Sequence, residues 1–216
     1  MWDKEAVKDI LKQHRQQGVS SLIMTSTSVT KEEMQDVLHS FDHHLWLDHR
    51  TPLPLANAYQ TPHTLGTDRM AAAVGAWSEA PGHNILIIDA GTCVTYDIVS
   101  AAGIYEGGNI APGLRMRLQA MHEFTQRLPL VDIPLRLPWL GRNTTEALQA
   151  GGVGGMLLEM GGMITRYRRR LENLKVFLTG GDANFFGNHL KRRIFVSPEL
   201  VLKGLNQILL YNLRHE

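Results

Sequence analysis

Ile85-Leu86-Ile87-Ile88-Asp89-Ala90-Gly91-Thr92-Cys93-Val94-Thr95-Tyr96-Asp97-Ile98-Val99 is the stretch that decides the fold. An apolar run ends on a carboxylate and turns through Ala90-Gly91-Thr92. It returns as a second strand, turns again at Gly103 and comes back through Tyr105-Glu106-Gly107-Gly108 to Pro112-Gly113. An unpaired buried charge costs several kcal/mol, of order 3–5 when a buried partner is missing. Asp89 is therefore expected to face a cation, a metal-bound phosphate or a cleft. The tight turn beside it lets backbone N–H groups and the Thr92 hydroxyl approach a phosphate closely.

Outward from this meander, helices and strands alternate. Residues 5–14 repeat apolar positions at helical spacing. Leu22-Ile23-Met24 reads as a strand, and Thr30 caps a second helix bearing Met34, Val37, Leu38 and Phe41. Leu45-Trp46-Leu47 reads as a strand, residues 51–62 as loop, and Gly66-Thr67-Asp68-Arg69 as the start of a helix reaching Trp77. Ala80-Pro81-Gly82 divides the chain into 1–82 and 83–216. After the meander come a helix from Gly113, a proline-rich loop to Leu140 and one long helix from Thr144-Thr145 to about Arg170. A strand at Val176-Phe177-Leu178, another at Ile194-Phe195-Val196 and a closing helix after Ser197-Pro198 complete the order. This alternation predicts an α/β fold with a mixed sheet.

The 216 residues are 44% hydrophobic and 20% charged, enough for a core. A net charge of +1 gives no electrostatic case for nucleic acid or an anionic membrane as partner. No apolar run approaches membrane-spanning length. The opening residues carry no apolar signal region. The single cysteine, Cys93, cannot form an internal disulfide and suits a reducing compartment, so a cytoplasmic protein is expected.

Thr179-Gly180-Gly181-Asp182 is a second glycine-rich strand end. Two such turns in one mixed sheet suggest a nucleotide cleft between two halves, one turn cradling phosphates and the other approaching a base or ribose. At Gly66-Thr67-Asp68-Arg69, exposed N–H groups and Arg69 would form a carboxylate cradle, with Asp68 placed to orient or deprotonate a hydroxyl. The long helix contains Gly151, Gly152, Gly154, Gly155, Gly161 and Gly162, each costing about 1 kcal/mol against Ala. Either the closing helix or a second subunit must pack very close to it. Arg166, Arg168, Arg169 and Arg170 read as a solvated helix end. The ten histidines show no metal-ligand spacing. Cys93 has no histidine placed to activate it, and no P-loop motif is present.

In this order, Gly66-Thr67-Asp68-Arg69, Asp89-Ala90-Gly91-Thr92, Gly107-Gly108 with Pro112-Gly113, Leu128-Pro129, Gly141-Arg142-Asn143-Thr144 and Thr179-Gly180-Gly181-Asp182 resemble the type III pantothenate kinases, the CoaX or Baf family of the actin and sugar-kinase superfamily. The resemblance implies a duplicated ribonuclease-H-like fold, ATP-dependent phosphorylation of pantothenate to 4'-phosphopantothenate in coenzyme A biosynthesis, and a homodimer. It implies Asp68 as catalytic base and Tyr59, Gly66, Thr67, Asp68, Arg69 and Thr144 as pantothenate ligands, Thr144 coming from the neighbouring subunit. Thr92, with Gly91, Gly180 and Gly181, would hold ATP. Asp89 would hold potassium or ammonium, and magnesium would accompany the phosphates. The family's opening strand and Asp-x-Gly-Asn-Thr loop have no counterpart among these residues. The expectation is therefore an incomplete first half, 1–82, beside a complete second half, 83–216, with little or no kinase activity and poor solubility for the chain as given. A dimeric ligand-binding or regulatory relative is the alternative.

Overall fold

The computed structural model describes residues 4–26 and 29–215. Helix α1 (Lys4–Gln16) precedes β1 (Ser21–Met24), α2 (Gln35–Leu38), β2 (His43–Trp46) and β3 (Ala56–Asn57). Helix α3 (Thr67–Glu79) leads into the meander β4 (Ile85–Ala90), β5 (Cys93–Val99) and β6 (Ile104–Pro112). Then come α4 (Leu114–Glu123), α5 (Thr144–Gln149), α6 (Gly155–Arg168), β7 (Lys175–Thr179), α7 (Ala183–His189), β8 (Phe195–Val196) and α8 (Leu200–Leu213).

Six strands form one sheet in the order β3-β6-β5-β4-β7-β8. The meander pairs antiparallel, whereas β3 on β6, β7 on β4 and β8 on β7 pair parallel. Strands β1 and β2 pair parallel in a separate two-stranded sheet. The mixed α/β architecture expected from the alternation is what forms. Strand β3 lies within the stretch read as loop. It is two residues long, too short to show an alternating pattern.

Successive side chains of a strand point to opposite faces, and β4 fills two cores at once. Ile85 and Ile87 join the cluster that includes Ala71, Val74, Leu200 and Ile208 of α3 and α8. Leu86, Ile88 and Ala90 join Leu114, Met156, Met160 and Phe186 on the other face. A strand covered on both sides reads as an unbroken apolar run, which is why residues 85–88 carry no polar interruption. Asp89 and Asp97 lie on the α3 side, because Ile87 pairs with Asp97 and Asp89 with Thr95 across the hairpin.

The closest helix packing lies where α3 crosses α8. A methyl group at Gly204 would overlap the Ala71 carbonyl, and one at Gly75 would overlap the Leu200 carbonyl. Only glycine allows this approach. The expected helix over residues 144–170 forms as one rod, in which a π-helical turn at Ala150–Gly154 joins α5 to α6 with helical backbone angles at both junctions. The closing helix spends its close contact on α3. Gly151, Gly155 and Gly162 have open space where a side chain would be.

Candidate active site

Both glycine-rich turns lie at the carboxyl ends of neighbouring parallel strands and press against each other. Gly91 donates its N–H to the Cys93 carbonyl, and Asp182 donates its N–H to the Ala90 carbonyl at 3.0 Å. Gly180 has φ +93°, and any side chain there would overlap Asp89 and the Ala90 carbonyl. The second turn is thus glycine because it must pass beneath the first. Gly113 touches the same place from a third direction. Its N–H bonds the Thr92 carbonyl, and a methyl group there would meet the Gly91 and Thr92 backbone. Helix α4 starts there.

Beside these turns is a cleft of about 810 Å³. It is lined by Gly91 and Thr92, Gly181 and Asp182, and Arg115, Met116 and Gln119 of α4. The volume falls within the ordinary range of small-molecule sites. The turns expected to hold a nucleotide are therefore brought together. The α4 wall was not legible in the sequence, where Arg115 and Met116 look like ordinary helix positions.

On the α3 face, Asp68 is exposed in the first turn of α3, where helix N-termini favour negative charge. One of its oxygens accepts the Arg69 N–H at 2.8 Å, and a side chain at Gly66 would displace that carboxylate. Thr67 shares a hydrogen bond of 2.5 Å with Thr25, beyond the end of β1, so the small sheet reaches the same helix start.

Arg69 is buried and occupied. Its Nε and one terminal nitrogen donate to the same oxygen of Asp97, at 3.0 and 2.5 Å. Tyr105 donates to that oxygen at 2.7 Å, and Thr95 donates to the other at 2.9 Å. Burial lowers the guanidinium's tendency to hold its proton. The hydrogen bonds and charge of Asp97 outweigh this and fix Arg69 as a cation. Burial beside Asp97 likewise pushes the Tyr105 phenol up. Gly108 leaves room for the group, since a methyl group there would overlap Asp97 and the Tyr96 carbonyl. The Arg69 guanidinium lies 5.8 Å from the Tyr59 ring centroid, and Tyr59 tilts against Tyr105 at 6.2 Å. Two of the expected pantothenate ligands, Tyr59 and Arg69, are thus joined to a third partner, Asp97, that the sequence reading missed. The available signal was an aspartate inside the run Tyr96-Asp97-Ile98-Val99, paired in register with Gly108.

Asp89 has no such partner. It makes no ion pair among the described residues. Burial, together with the charges of Asp68 and Asp97, pushes its pKa up to about 6. That environment fits a bound cation, which would relieve both causes. Among the described residues no group of three or more His, Cys, Asp or Glu side chains is arranged to hold a metal. A cation at Asp89 would therefore draw its other ligands from backbone oxygens, substrate or water, as a weakly demanding monovalent ion does.

Thr144 lies elsewhere. It is the first residue of α5, exposed, after Asn143, whose side chain accepts the Glu146 N–H at 2.9 Å as a helix cap. Its hydroxyl bonds none of the residues around Asp68.

Two glycine turns at parallel strand ends thus meet around Asp89, a carboxylate that also feels the charges of Asp68 and Asp97, beside an open cleft on a mixed α/β sheet. The sequence profile of the type III pantothenate kinases matches residues 3–166. The chain is 54% identical to the type III pantothenate kinase of Bacteroides fragilis over 168 residues, covering 78% of this chain and 69% of that one. It is 46% identical to that of Phocaeicola vulgatus over 195 residues, covering 90% and 79%. A Baf-family protein of Campylobacter jejuni shares the fold at TM-score 0.62 and 22% identity, covering 96% of this chain and 89% of that one. The chain belongs to the type III pantothenate kinase family.

Proposed function

We infer that the chain transfers the γ-phosphoryl group of ATP to the primary hydroxyl of pantothenate, giving 4'-phosphopantothenate and ADP, the first step of coenzyme A biosynthesis. The observation that carries this reading is the exposed Asp68 carboxylate, held by its own helix start beside the two glycine turns. The hydroxyl oxygen attacks the γ-phosphorus, the bond to the bridging oxygen breaks toward ADP, and Asp68 accepts the hydroxyl proton. Phosphoryl transfer demands positioning and charge neutralisation more than covalent chemistry. Gly91, Thr92, Gly180 and Gly181 offer backbone and hydroxyl contacts to the phosphates. Tyr59, Gly66, Thr67 and Arg69 hold pantothenate, with Arg69 kept cationic by Asp97. Potassium or ammonium at Asp89, and magnesium on the phosphates, would supply positive charge. The regulatory alternative has no comparable support, since the relatives at 54% and 46% identity are named as kinases.

A homodimer completes the reading. Gly151, Gly155, Leu158 and Gly162 recur at i, i+4, i+7 and i+11 from the π-helical turn through α6. The three glycines have open space above them, and Leu158 is 79% exposed. A second copy packed there would bring its own Thr144 end of the same helical rod toward a neighbouring site. The stretches 1–82 and 83–216 are read as two units that interlock, because β3 pairs with β6 and α3 packs on α8, and the cleft beside the glycine turns is lined by the second of them. The compartment is the cytoplasm, where ATP and pantothenate are available, and no helix of the described residues is long and apolar enough to cross a membrane.

The test is Asp68→Asn in the purified chain. Turnover of pantothenate should fall by about 10²–10⁴-fold, the range for a general base, with pantothenate affinity by calorimetry retained. Unchanged turnover would remove Asp68 from the chemistry. Gly162→Leu should shift the sedimentation of the chain from dimer to monomer, and a species that sediments as before would remove this face from the interface.

A further inference from the structure

Helix α4 walls the nucleotide cleft, yet its first turn lacks the usual supports. Gly113 provides no side-chain cap, and no acidic residue stands in the first turn. Arg115 adds positive charge where the helix already carries its positive end. Such a helix start is poorly held by its own sequence, and its uncapped N–H groups and Arg115 border the cleft. What holds it comes from outside. Arg117 Nε donates to the Pro112 carbonyl at 2.7 Å, tying the turn back to the last residue of β6. The other end of the same guanidinium donates to Glu159 of α6 at 2.6 Å. Glu159 in turn accepts the Tyr96 hydroxyl of β5 at 2.7 Å on its second oxygen. One carboxylate therefore joins β5, α6 and α4, and both of its oxygens are engaged. Gly113, between Pro112 and α4, bonds the Thr92 carbonyl at 3.1 Å, so the strap ends at the phosphate turn itself.

We propose that Glu159 is a positioning residue for ATP: through Arg117 it sets where the first turn of α4 stands against the Gly91-Thr92 turn, and so tunes nucleotide affinity without touching pantothenate. This rests on the reading that the cleft beside α4 is the nucleotide site. Glu159 makes no hydrogen bond to the Asp68 group: its partner Tyr96 packs on the face of β5 opposite to Asp97, and that group's hydrogen bonds run through Arg69, Asp97, Tyr105 and Thr95. Disturbance at Glu159 is thus transmitted to one substrate only.

Calorimetric titration of the purified chain with MgATP and, separately, with pantothenate tests this. Glu159→Gln keeps the side-chain volume and should weaken MgATP about tenfold, the scale of one charge-assisted hydrogen bond, with pantothenate affinity unchanged. Arg117→Ala should do the same, and the double variant should be no worse than the worse single one, because both act on one strap. Tyr96→Phe should have a smaller effect in the same direction. MgATP affinity within twofold of the parent in Glu159→Gln and Arg117→Ala would overturn the proposal. So would equal weakening of both ligands, which marks general damage. Arg115→Ala separates the two levels. If it weakens MgATP while Glu159→Gln does not, this inference alone fails. If neither matters, or the parent chain binds no MgATP, the nucleotide placement fails and takes this inference with it.

Discussion

Asp89 and Asp97 stand on adjacent strands of one hairpin, on the same face of the sheet, and have opposite fates. Asp97 is 1% exposed and fully provided for, with Arg69, Tyr105 and Thr95 all donating to it. Asp89, at the strand end, forms no ion pair among the described residues, and burial pushes its pKa up to about 6. The difference separates architecture from function. A carboxylate whose charge is answered within the chain holds the fold. A carboxylate left unanswered at a strand end between two glycine turns is the one free to act on a ligand.

Removing the answered carboxylate should hurt most. Asp97→Leu leaves Arg69 buried without its partner and should cost about 3–5 kcal/mol in denaturant unfolding. Asp97→Asn, which still accepts hydrogen bonds, should cost less. If Asp97→Leu unfolds at the parent's denaturant midpoint, the group is not structural and the contrast breaks.

Removing the unanswered one should do the reverse. The folded-state pKa of Asp89 lies above its ordinary 3.8. The folded protein therefore favours the protonated form. Stability is fully present below that ordinary value and declines as pH rises through the folded value of about 6. Asp89→Asn abolishes this decline and should stabilise the ligand-free chain by on the order of 2 kcal/mol above pH 6. The gain should shrink on acidification and vanish below about pH 4. Melting curves across that range check it, and a gain that persists in acid would point to another cause.

Potassium sharpens the contrast further. At ten times its dissociation constant it should stabilise the parent chain by about 1.4 kcal/mol relative to tetramethylammonium, and should leave Asp89→Asn unmoved. Equal melting of the parent in both salts would deny Asp89 its cation. The smallest effect is expected at a distance. Asp68→Asn removes the second cause of the Asp89 shift and should lower the Asp89 titration by less than about one pH unit, as followed by carboxyl NMR.

Asp89 was legible in the sequence because its position is a local anomaly, a charge that ends an apolar run before a glycine turn. The second turn at Thr179-Gly180-Gly181-Asp182 was legible for the same reason. The Arg69–Asp97 pair was not. The two residues belong to different elements, and only the docking of α3 onto the sheet brings them together. The glycines of residues 151–162 signalled a close approach, but which partner approaches is decided by tertiary packing. The close in-chain approach lies instead at Gly75 and Gly204, single glycines that the sequence reading did not single out. The support of α4 by Glu159 was illegible because it spans three elements and shows no spacing along the chain.

The crossing of α3 and α8 also sets an order of assembly. The helix that presents Asp68 begins early in the chain, whereas the helix that seats it, through Gly204 against the Ala71 carbonyl, is the last element described. On a ribosome the first can be made and even coil up long before the second leaves the exit tunnel. Through that interval α3 can rest on β4 and β5 through Ile85, Ile87 and Val99, but its Ala71 and Gly75 face stays uncovered until α8 is made.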